Sequence, residues 1–179
     1  MKLETDRLIL VRYNKKFIND EFEILSSDLP SCFLDLKVKN IDDINKNAID
    51  KSNDEFFFAI VLKENNKMIG ELFGELDSDL ETFSPCWILN KKYEGKGYAY
   101  EAIKLYFTFL FKMKNIRRIY TYVETDNIKS QNLCKRLNMR LEGVFKEFVS
   151  FQKDINNNKI YVDTMQFALL KREFLSFFM

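Results

Sequence analysis

The stretch from Cys86 to Met113 constrains this chain more than any other. An apolar run, Cys86-Trp87-Ile88-Leu89, gives way to a short loop with glycines at 95 and 97, and a helical pattern starts at once. Paired glycines permit a tight turn because no Cβ obstructs the backbone. The first amides of the helix that follows have no partners within it and point outward at its positive end. Strand, glycine loop and helix in that order make a seat for a phosphate group. The helix itself is well determined from about Tyr98 to Lys114. Glu101, Lys104, Thr108 and Lys112 form one narrow polar stripe, and Ala99, Ala102, Ile103, Tyr106, Phe107, Leu110 and Met113 cover the other faces. A helix this apolar packs on a sheet and its neighbours, which holds its N-terminus rigidly.

Three phosphate motifs can be tested by spacing. A P-loop needs Gly-Lys-Ser/Thr, and Gly97 is followed by Tyr98-Ala99. The dinucleotide fingerprint would put its third glycine, or alanine, at position 100, which is Tyr100. The pyrophosphate loop Gln/Arg-x-x-Gly-x-Gly/Ala fits best. Glu94-Gly95-Lys96-Gly97-Tyr98-Ala99 meets its last four positions and departs at the first side chain.

Composition narrows the chemistry. The 179 residues, 46% hydrophobic and 31% charged, suit one globular domain over 1–179 with a full core. Histidine is absent, which excludes Ser-His and Cys-His nucleophile pairs, imidazole metal sites and an imidazole base. Cys32, Cys86 and Cys134 are odd in number and widely spaced, so no metal is expected and a reduced, cytoplasmic setting is. The opening residues lack the apolar stretch of a signal peptide, and no run approaches the ~20 apolar residues that span a bilayer. A net charge of +1 supplies no field for nucleic acid or anionic lipid. Lys112, Lys114, Arg117 and Arg118 form a basic knot beside aromatics, but with acids nearby it reads as solvated surface, and no nucleic-acid or membrane partner is expected.

Periodicity predicts an opening strand over 5–13 and helices over 15–27 and 41–53. A hairpin of strands 55–62 and 67–76 turns at Lys63-Glu64-Asn65-Asn66, and another strand ends near Leu89. After the glycine loop and its helix come a strand (116–124), a helix (127–138) and strands 143–151 and 159–170 around Asn156-Asn157-Asn158. The order is α+β, with one mixed sheet of about seven strands and about four helices. The tail Phe174-Leu175-Ser176-Phe177-Phe178-Met179 is too apolar to be free, so it is expected to pack on its own domain or a second subunit; monomer and homodimer stay open.

On these residues the chain resembles the GNAT N-acetyltransferase superfamily, and most of all its ribosomal-protein-alanine N-acetyltransferase branch. Thr5-Asp6-Arg7-Leu8-Ile9-Leu10 is similar to that branch's first strand, and Trp87 to Ala102 to its strand–loop–helix core. Asn127-Ile128-Lys129-Ser130, followed by Leu133 and Arg136-Leu137-Asn138-Met139, resembles its Asn-x-x-Ser segment. Asp163-Thr164 and Leu169 to Phe174 resemble its last strand and tail.

The resemblance implies acetyl-CoA as cosubstrate, no metal, and transfer of acetyl to a primary amine by direct attack in a ternary complex. The acceptor would be a protein N-terminal α-amine or a small-molecule amine. It implies that Glu94, Gly95, Lys96, Gly97, Tyr98 and Ala99 hold the pyrophosphate and that Ile88 and Leu89 run along the pantetheine arm. It further implies that Asn127 bonds the arm and that backbone N–H groups near Leu89 stabilise the oxyanion. Glu94 replaces a neutral or cationic residue, which weakens affinity unless Lys96, Lys91 or Lys92 offsets it. Ser130 would protonate the leaving thiolate; the other reading is a satisfied buried hydroxyl. Cys134, where many relatives carry a donor Tyr, is either a second donor or core. The usual acidic base position corresponds to Ser84. Glu71 and Glu75 share one strand face and could serve as base through water, against an ordinary solvated face. The alternative function is a catalytically silent CoA-binding regulatory protein.

Overall fold

A computed structural model describes residues 2–178, which form two compact units. The first comprises residues 2–28, 36–75 and 85–115, and the second residues 29–35, 76–84 and 116–178. The strands are β1 (Lys2–Glu4), β2 (Leu8–Arg12), β3 (Phe58–Leu62), β4 (Met68–Leu76), β5 (Thr82–Leu89), β6 (Arg118–Glu124), β7 (Arg140–Lys153) and β8 (Lys159–Leu170). The helices are α1 (Ile18–Leu25), α2 (Ile41–Asn53), α3 (Tyr98–Thr108), α4 (Ile128–Arg136) and α5 (Lys171–Phe178). The hydrogen-bonded strand order is β1-β2-β3-β4-β5-β6-β8-β7, mixed as expected and eight strands rather than about seven.

In the first unit β1 to β4 form an antiparallel meander, with Leu10 opposite Leu3 and Ile60. Every residue of β3 is buried, as a central strand covered on both faces requires. The β3–β4 hairpin turns where Asn65-Asn66 predicted it, with Asn66 at φ 57°. Asn40 caps α2 by accepting from the Asp43 N–H. The predicted helix over 98–114 exists but is not uniformly α. Phe109–Met113 widens into a π turn closed by Lys114 N–H to Phe109 O. A strict 3.6-residue period cannot turn three successive side chains into one core. The wider turn buries Phe109, Leu110 and Phe111 together.

Gly70 of β4 sits where the meander meets the second half of β5. A Cβ there would stand 2.4 Å from the Ile88 carbonyl oxygen. Asn90 N–H donates to Ile69 O at 2.8 Å one step along, so the close approach is part of the strand pairing.

In the second unit β6 pairs antiparallel with β8 from Arg118↔Leu170 to Glu124↔Thr164, and β8 pairs with the long β7. The first half of β5 contributes a parallel ladder of two residue pairs, Thr82↔Arg118 and Phe83↔Ile119. Asn138 takes φ 57° after α4, the left-handed position its side chain tolerates. Several elements lay outside the sequence expectations, among them the 3-10 turn Lys91–Tyr93. The others include β1, a 3-10 segment over Ser31–Leu36, and α5, into which the apolar tail folds with Phe174 buried and Phe177 exposed. Met179, the last residue of that predicted tail, lies outside the described residues.

Replacing Gly70 by Ala should cost about 2–3 kcal/mol, because the new methyl meets a main-chain oxygen rather than a movable side chain. Urea unfolding of Gly70→Ala against wild type measures this, and an unchanged midpoint would show that the two strands separate freely.

Candidate active site

The glycine loop takes the conformation its sequence demands. Gly95 and Gly97 have φ of 75° and 84°, in the left-handed region, and a Cβ on Gly95 would project into open space. Gly97 is the N-cap of α3 and, lacking a side chain, makes no capping bond. The outward amides of Tyr98 and Ala99 thus face an anion at the helix start. Ahead of the loop, Lys91–Tyr93 forms a 3-10 turn capped by Asn90, whose Oδ1 accepts from Lys92 N–H at 3.0 Å.

Arg7, quoted in the sequence only as part of a strand motif, organises this corner. Its Nη1 donates to the Lys96 carbonyl at 3.0 Å, its Nε donates to Glu101 Oε2 at 2.7 Å, and its guanidinium lies 4.5 Å from the Tyr98 ring centroid. The Thr5 hydroxyl donates to the other Glu101 oxygen. Burial pushes the Glu101 carboxyl up, but the bonds from Thr5 and Arg7 outweigh it and hold it below its usual range. One cation therefore ties the bend between β1 and β2 to both the loop and the first turn of α3. Lys96 adds a second cation, its ammonium 5.5 Å from the Tyr93 centroid. The loop fits an anionic pyrophosphate: left-handed glycines, uncapped amides and two cations meet there.

Backbone direction along β5 alternates. The Ile88 carbonyl and the Asn90 N–H face β4. Trp87 and Leu89 therefore direct their main-chain groups to the opposite edge. Pro85, in the same parity, has no N–H to offer there. Ile88 is thus placed with its carbonyl against Gly70 and its side chain buried, whereas Leu89 turns its amide to the opposite edge.

Glu71 and Glu75 do share a face of β4, yet their surroundings differ. Glu75 is exposed. Glu71 is not on a solvated face: it is buried beside the Lys51 ammonium, 3.4 Å from its Oε2, and near Glu21. Burial pushes the Glu71 carboxyl up to about 7, with Lys51 pulling it down and Glu21 pushing it further up. Burial also acts to lower Lys51, but the charges of Glu71 and Glu21 outweigh it and hold the ammonium above its usual range. Neither Glu21 nor Lys51 was singled out in the sequence, since each looks like an ordinary polar position on an amphipathic helix.

In the second unit Asn127 caps α4, its Oδ1 accepting from Ser130 N–H at 3.1 Å. Ser130 is half-buried at the first turn of that helix. Gln131, missed in the sequence, fixes the turn entering the helix by donating to the carbonyls of Glu124 and Thr125 at 3.2 and 2.9 Å. Cys134 is fully buried, and burial pushes its thiol up to about 12. It behaves as a small core residue. Ser84 lies beside the Tyr120 hydroxyl, which donates to Asp77 at 3.2 Å. Among the described residues, no group of three Cys, Asp or Glu side chains is placed to hold a metal, and no helix is long and apolar enough to cross a membrane.

Fold and loop together define an acyl-CoA-dependent transferase, and comparison with known proteins agrees. Residues 30–140 match the model of the acetyltransferase (GNAT) domain, and the chain belongs to that family. It is thus an acetyl-CoA-dependent acetyltransferase. It is 28% identical over 182 residues to the uncharacterized N-acetyltransferase YnaD of Bacillus subtilis, covering 97% of this chain and 99% of the other. The fold superimposes on a GNAT-family acetyltransferase from Bacillus anthracis with a TM-score of 0.85 at 23% identity, covering 97% and 100% of the two chains. It also superimposes on the spermidine/spermine N-acetyltransferase SpeG from Vibrio cholerae with a TM-score of 0.73 at 19% identity, covering 97% and 98%.

The buried Glu71 has a consequence for stability. Its carboxyl sits above the ordinary value of 4.5, so between about pH 4.5 and 7 the folded chain keeps a proton that the unfolded chain has lost. Stability then falls as pH rises through that window, by on the order of 3 kcal/mol for this group alone. Urea titrations of wild type and Glu71→Gln at pH 5 and pH 8 should show the variant gaining on wild type by a few kcal/mol at the higher pH. Parallel pH profiles would contradict the assignment.

Proposed function

We propose that residues 1–179 act as one domain that moves acetyl from acetyl-CoA to a primary amine by direct attack within a ternary complex. The observation that carries this reading is the loop at Gly95 and Gly97: two left-handed glycines leave uncapped amides beside Arg7 and Lys96, which suits a pyrophosphate. In the first unit, Glu94 to Ala99 take the pyrophosphate and the Leu89 amide, next to the buried Ile88, takes the pantetheine arm or the developing oxyanion. In the second, Asn127 bonds the arm and Ser130 supplies a proton to the departing thiolate.

Acetyl-CoA supplies an activated acyl group, and the protein's own task is to present a neutral amine to it. An α-amine is about a tenth neutral at pH 7, whereas an aliphatic amine is neutral in well under a thousandth of molecules. Glu71 is the residue suited to take the proton. A carboxyl near 7 is half ionised at neutral pH and strong enough as a base to matter. Exposed Glu75 has no comparable environment, and Cys134 is too deeply buried to serve as a donor.

Two acceptor classes accord with different features. The Asn127–Ser130 segment and the tail resemble the ribosomal-protein-alanine branch, which favours a protein N-terminal α-amine. The buried carboxylate pair and the likeness to SpeG favour a small aliphatic amine, and the first of these is an observation on this chain. The competing reading, a CoA-binding protein without catalysis, retains the loop chemistry and predicts no turnover.

Thermal-shift titration with acetyl-CoA, followed by thiol-release assays over N-terminal peptides and aliphatic amines, decides between these. Stabilisation with turnover supports acetyl transfer; stabilisation without any thiol release selects the silent protein; no stabilisation overturns both. Ser130→Ala should lower kcat about 100-fold while leaving acetyl-CoA affinity unchanged. An unchanged kcat would return Ser130 to a structural role. Arg7→Met should raise the KM for acetyl-CoA about tenfold, while shifting stability by less than about 1 kcal/mol because the pair is partly exposed. Loss of folding in that variant would mean that Arg7 serves the scaffold rather than the loop.

A further inference from the structure

The β7–β8 hairpin of the second unit leaves β7 as the outermost strand of the sheet, and most of its side chains are exposed. Its ladder is interrupted between Phe145↔Thr164 and Val149↔Val162, where β7 places three residues against one of β8, Asp163. Asp163 holds this bulge. Its carboxylate accepts the Glu147 N–H at 2.9 Å and the Lys146 ammonium at 2.8 Å, and Glu147 takes φ 46°. On a regular strand, residues three apart point to opposite faces. The bulge instead returns Phe148 to the face of Phe145, with ring centroids 5.0 Å apart, and the two rings meet Tyr122 at 5.2 and 6.0 Å. All three stay open to solvent, Tyr122 at 42%, Phe145 at 38% and Phe148 at 47%. A left-handed residue other than glycine is costly, yet here it gathers apolar rings on the outside, where folding alone gains nothing from them.

The bulged segment is self-complementary. Val144-Phe145-Lys146-Glu147-Phe148-Val149 reads the same in both directions, except that a cation and an anion exchange places at its centre. Two such segments, run antiparallel about a two-fold axis between residues 146 and 147, set Lys146 of one against Glu147 of the other. The same axis sets Phe145 against Phe148 and Val144 against Val149, and each pair occurs twice. That is the requirement of an isologous contact, in which residue i meets j and j meets i. We propose that this hairpin face is the contact surface for a second copy of the chain. The charges are free to make it. Glu147 is exposed, and Lys146, although bonded to Asp163, keeps 78% of its side chain open and has donors to spare.

The size of the face sets the strength expected of the contact. An aromatic side chain carries roughly 200 Å², so the three rings, with exposed Val144, Phe151 and Tyr161 of the same hairpin, offer on the order of 500 Å². Two copies then bury about 1,000 Å², the lower end for a specific interface, which corresponds to a reversible dimer rather than an obligate one. Register shifts at three places in β7 keep its main-chain edge from pairing continuously, so side chains meet the partner and the assembly closes at two. A nucleic acid or anionic membrane suits the face poorly, because Lys146, Glu147 and Asp163 leave no excess of positive charge there. The contact does not depend on acetyl transfer and stands or falls apart from it.

Sedimentation velocity of the full chain from about 1 to 200 μM tests this, and a monomer–dimer equilibrium with a Kd on the order of 10 μM is expected. Phe148→Ser should weaken the dimer about tenfold or more. Glu147→Lys and Lys146→Glu, each confirmed folded by circular dichroism, should self-associate about tenfold more weakly because like charges then oppose. Mixed in equal amounts, these two should form a heterodimer of near wild-type strength, since every pair across the axis is again opposite in sign. A chain that stays monomeric at the highest concentration leaves the face to another occupant and overturns the proposal. A dimer indifferent to Phe148→Ser, a mixture no stronger than its components, or growth beyond the dimer does the same. Should Lys146→Glu lose its fold along with the Asp163 bond, a control on exposed Phe177 of α5 decides. Glu147→Lys and Phe148→Ser must then weaken the dimer while Phe177→Ser does not; equal weakening by Phe177→Ser would place the contact on α5 instead.

Discussion

Strand β5 divides its main-chain hydrogen bonds by parity, and the proposed chemistry of the chain rests on that division. Ile88 and Asn90 face β4, where Gly70 has surrendered its side chain so that a carbonyl can approach. Trp87 and Leu89 face the other way, and Pro85 withholds a donor on that same edge. A strand whose every amide was already paired would have nothing to offer an extended ligand. Here one edge fixes the strand against Gly70 and Ile69, while Trp87 and Leu89 turn their main-chain groups the other way a few residues ahead of the glycine loop. Rigidity on one side is what makes availability on the other useful.

The loop depends on a second kind of fixing. Glycines at positive φ are inexpensive to place but easily displaced, because glycine has the widest conformational freedom of any residue. Arg7 limits that freedom from a distant part of the sequence. It holds the Lys96 carbonyl and the Glu101 carboxylate at once, so the turn and the helix start cannot move independently. Thr5 completes the clamp. Lysine at position 7 would not serve, since a single ammonium lacks the forked geometry that addresses a carbonyl and a carboxylate together.

Much of this was legible in the residues, and the parts that were not share a cause. The loop, its helix and both asparagine turns could be read because local geometry dictates local residue types. Gly97 and Asn138 occupy the left-handed positions for which glycine and asparagine are suited. The polar–apolar stretch 41–53 matched α2, which the structure shows capped by Asn40 with an acidic first turn. By contrast, β1 is three residues long and exists only by pairing with β2. The π turn after Thr108 answers a demand of the surrounding core, and α5 forms from an apolar tail whose spacing suggested packing without specifying helix. Glu71 was assigned a solvated strand face as one of two readings because period-two alternation tells which residues share a side, but not what covers it. What covers it is Lys51, 20 residues earlier, together with Glu21. Pairings between distant segments carry no local signature, and Arg7 escaped notice for the same reason.

The two charged clusters of the first unit illustrate opposite uses of burial. At the loop, Glu101 is only partly withdrawn from water, and two donors stabilise its charge, so it stays ionised and acts as a fixed anchor. At Glu71 burial is complete, and the single shared ammonium cannot compensate two carboxylates. Replacing such a cluster by apolar side chains would often stabilise a fold, since desolvation commonly outweighs the attraction between buried charges. Its presence in the middle of an otherwise apolar sheet, with Leu72 and Ile60 buried close by along the strands, therefore costs stability that packing alone would not require. The proposed role of Glu71 as a base near neutral pH gives that cost a purpose. A carboxylate stable enough to remain ionised throughout would be too weak a base, and one fully neutralised by a second lysine would have no reason to accept anything.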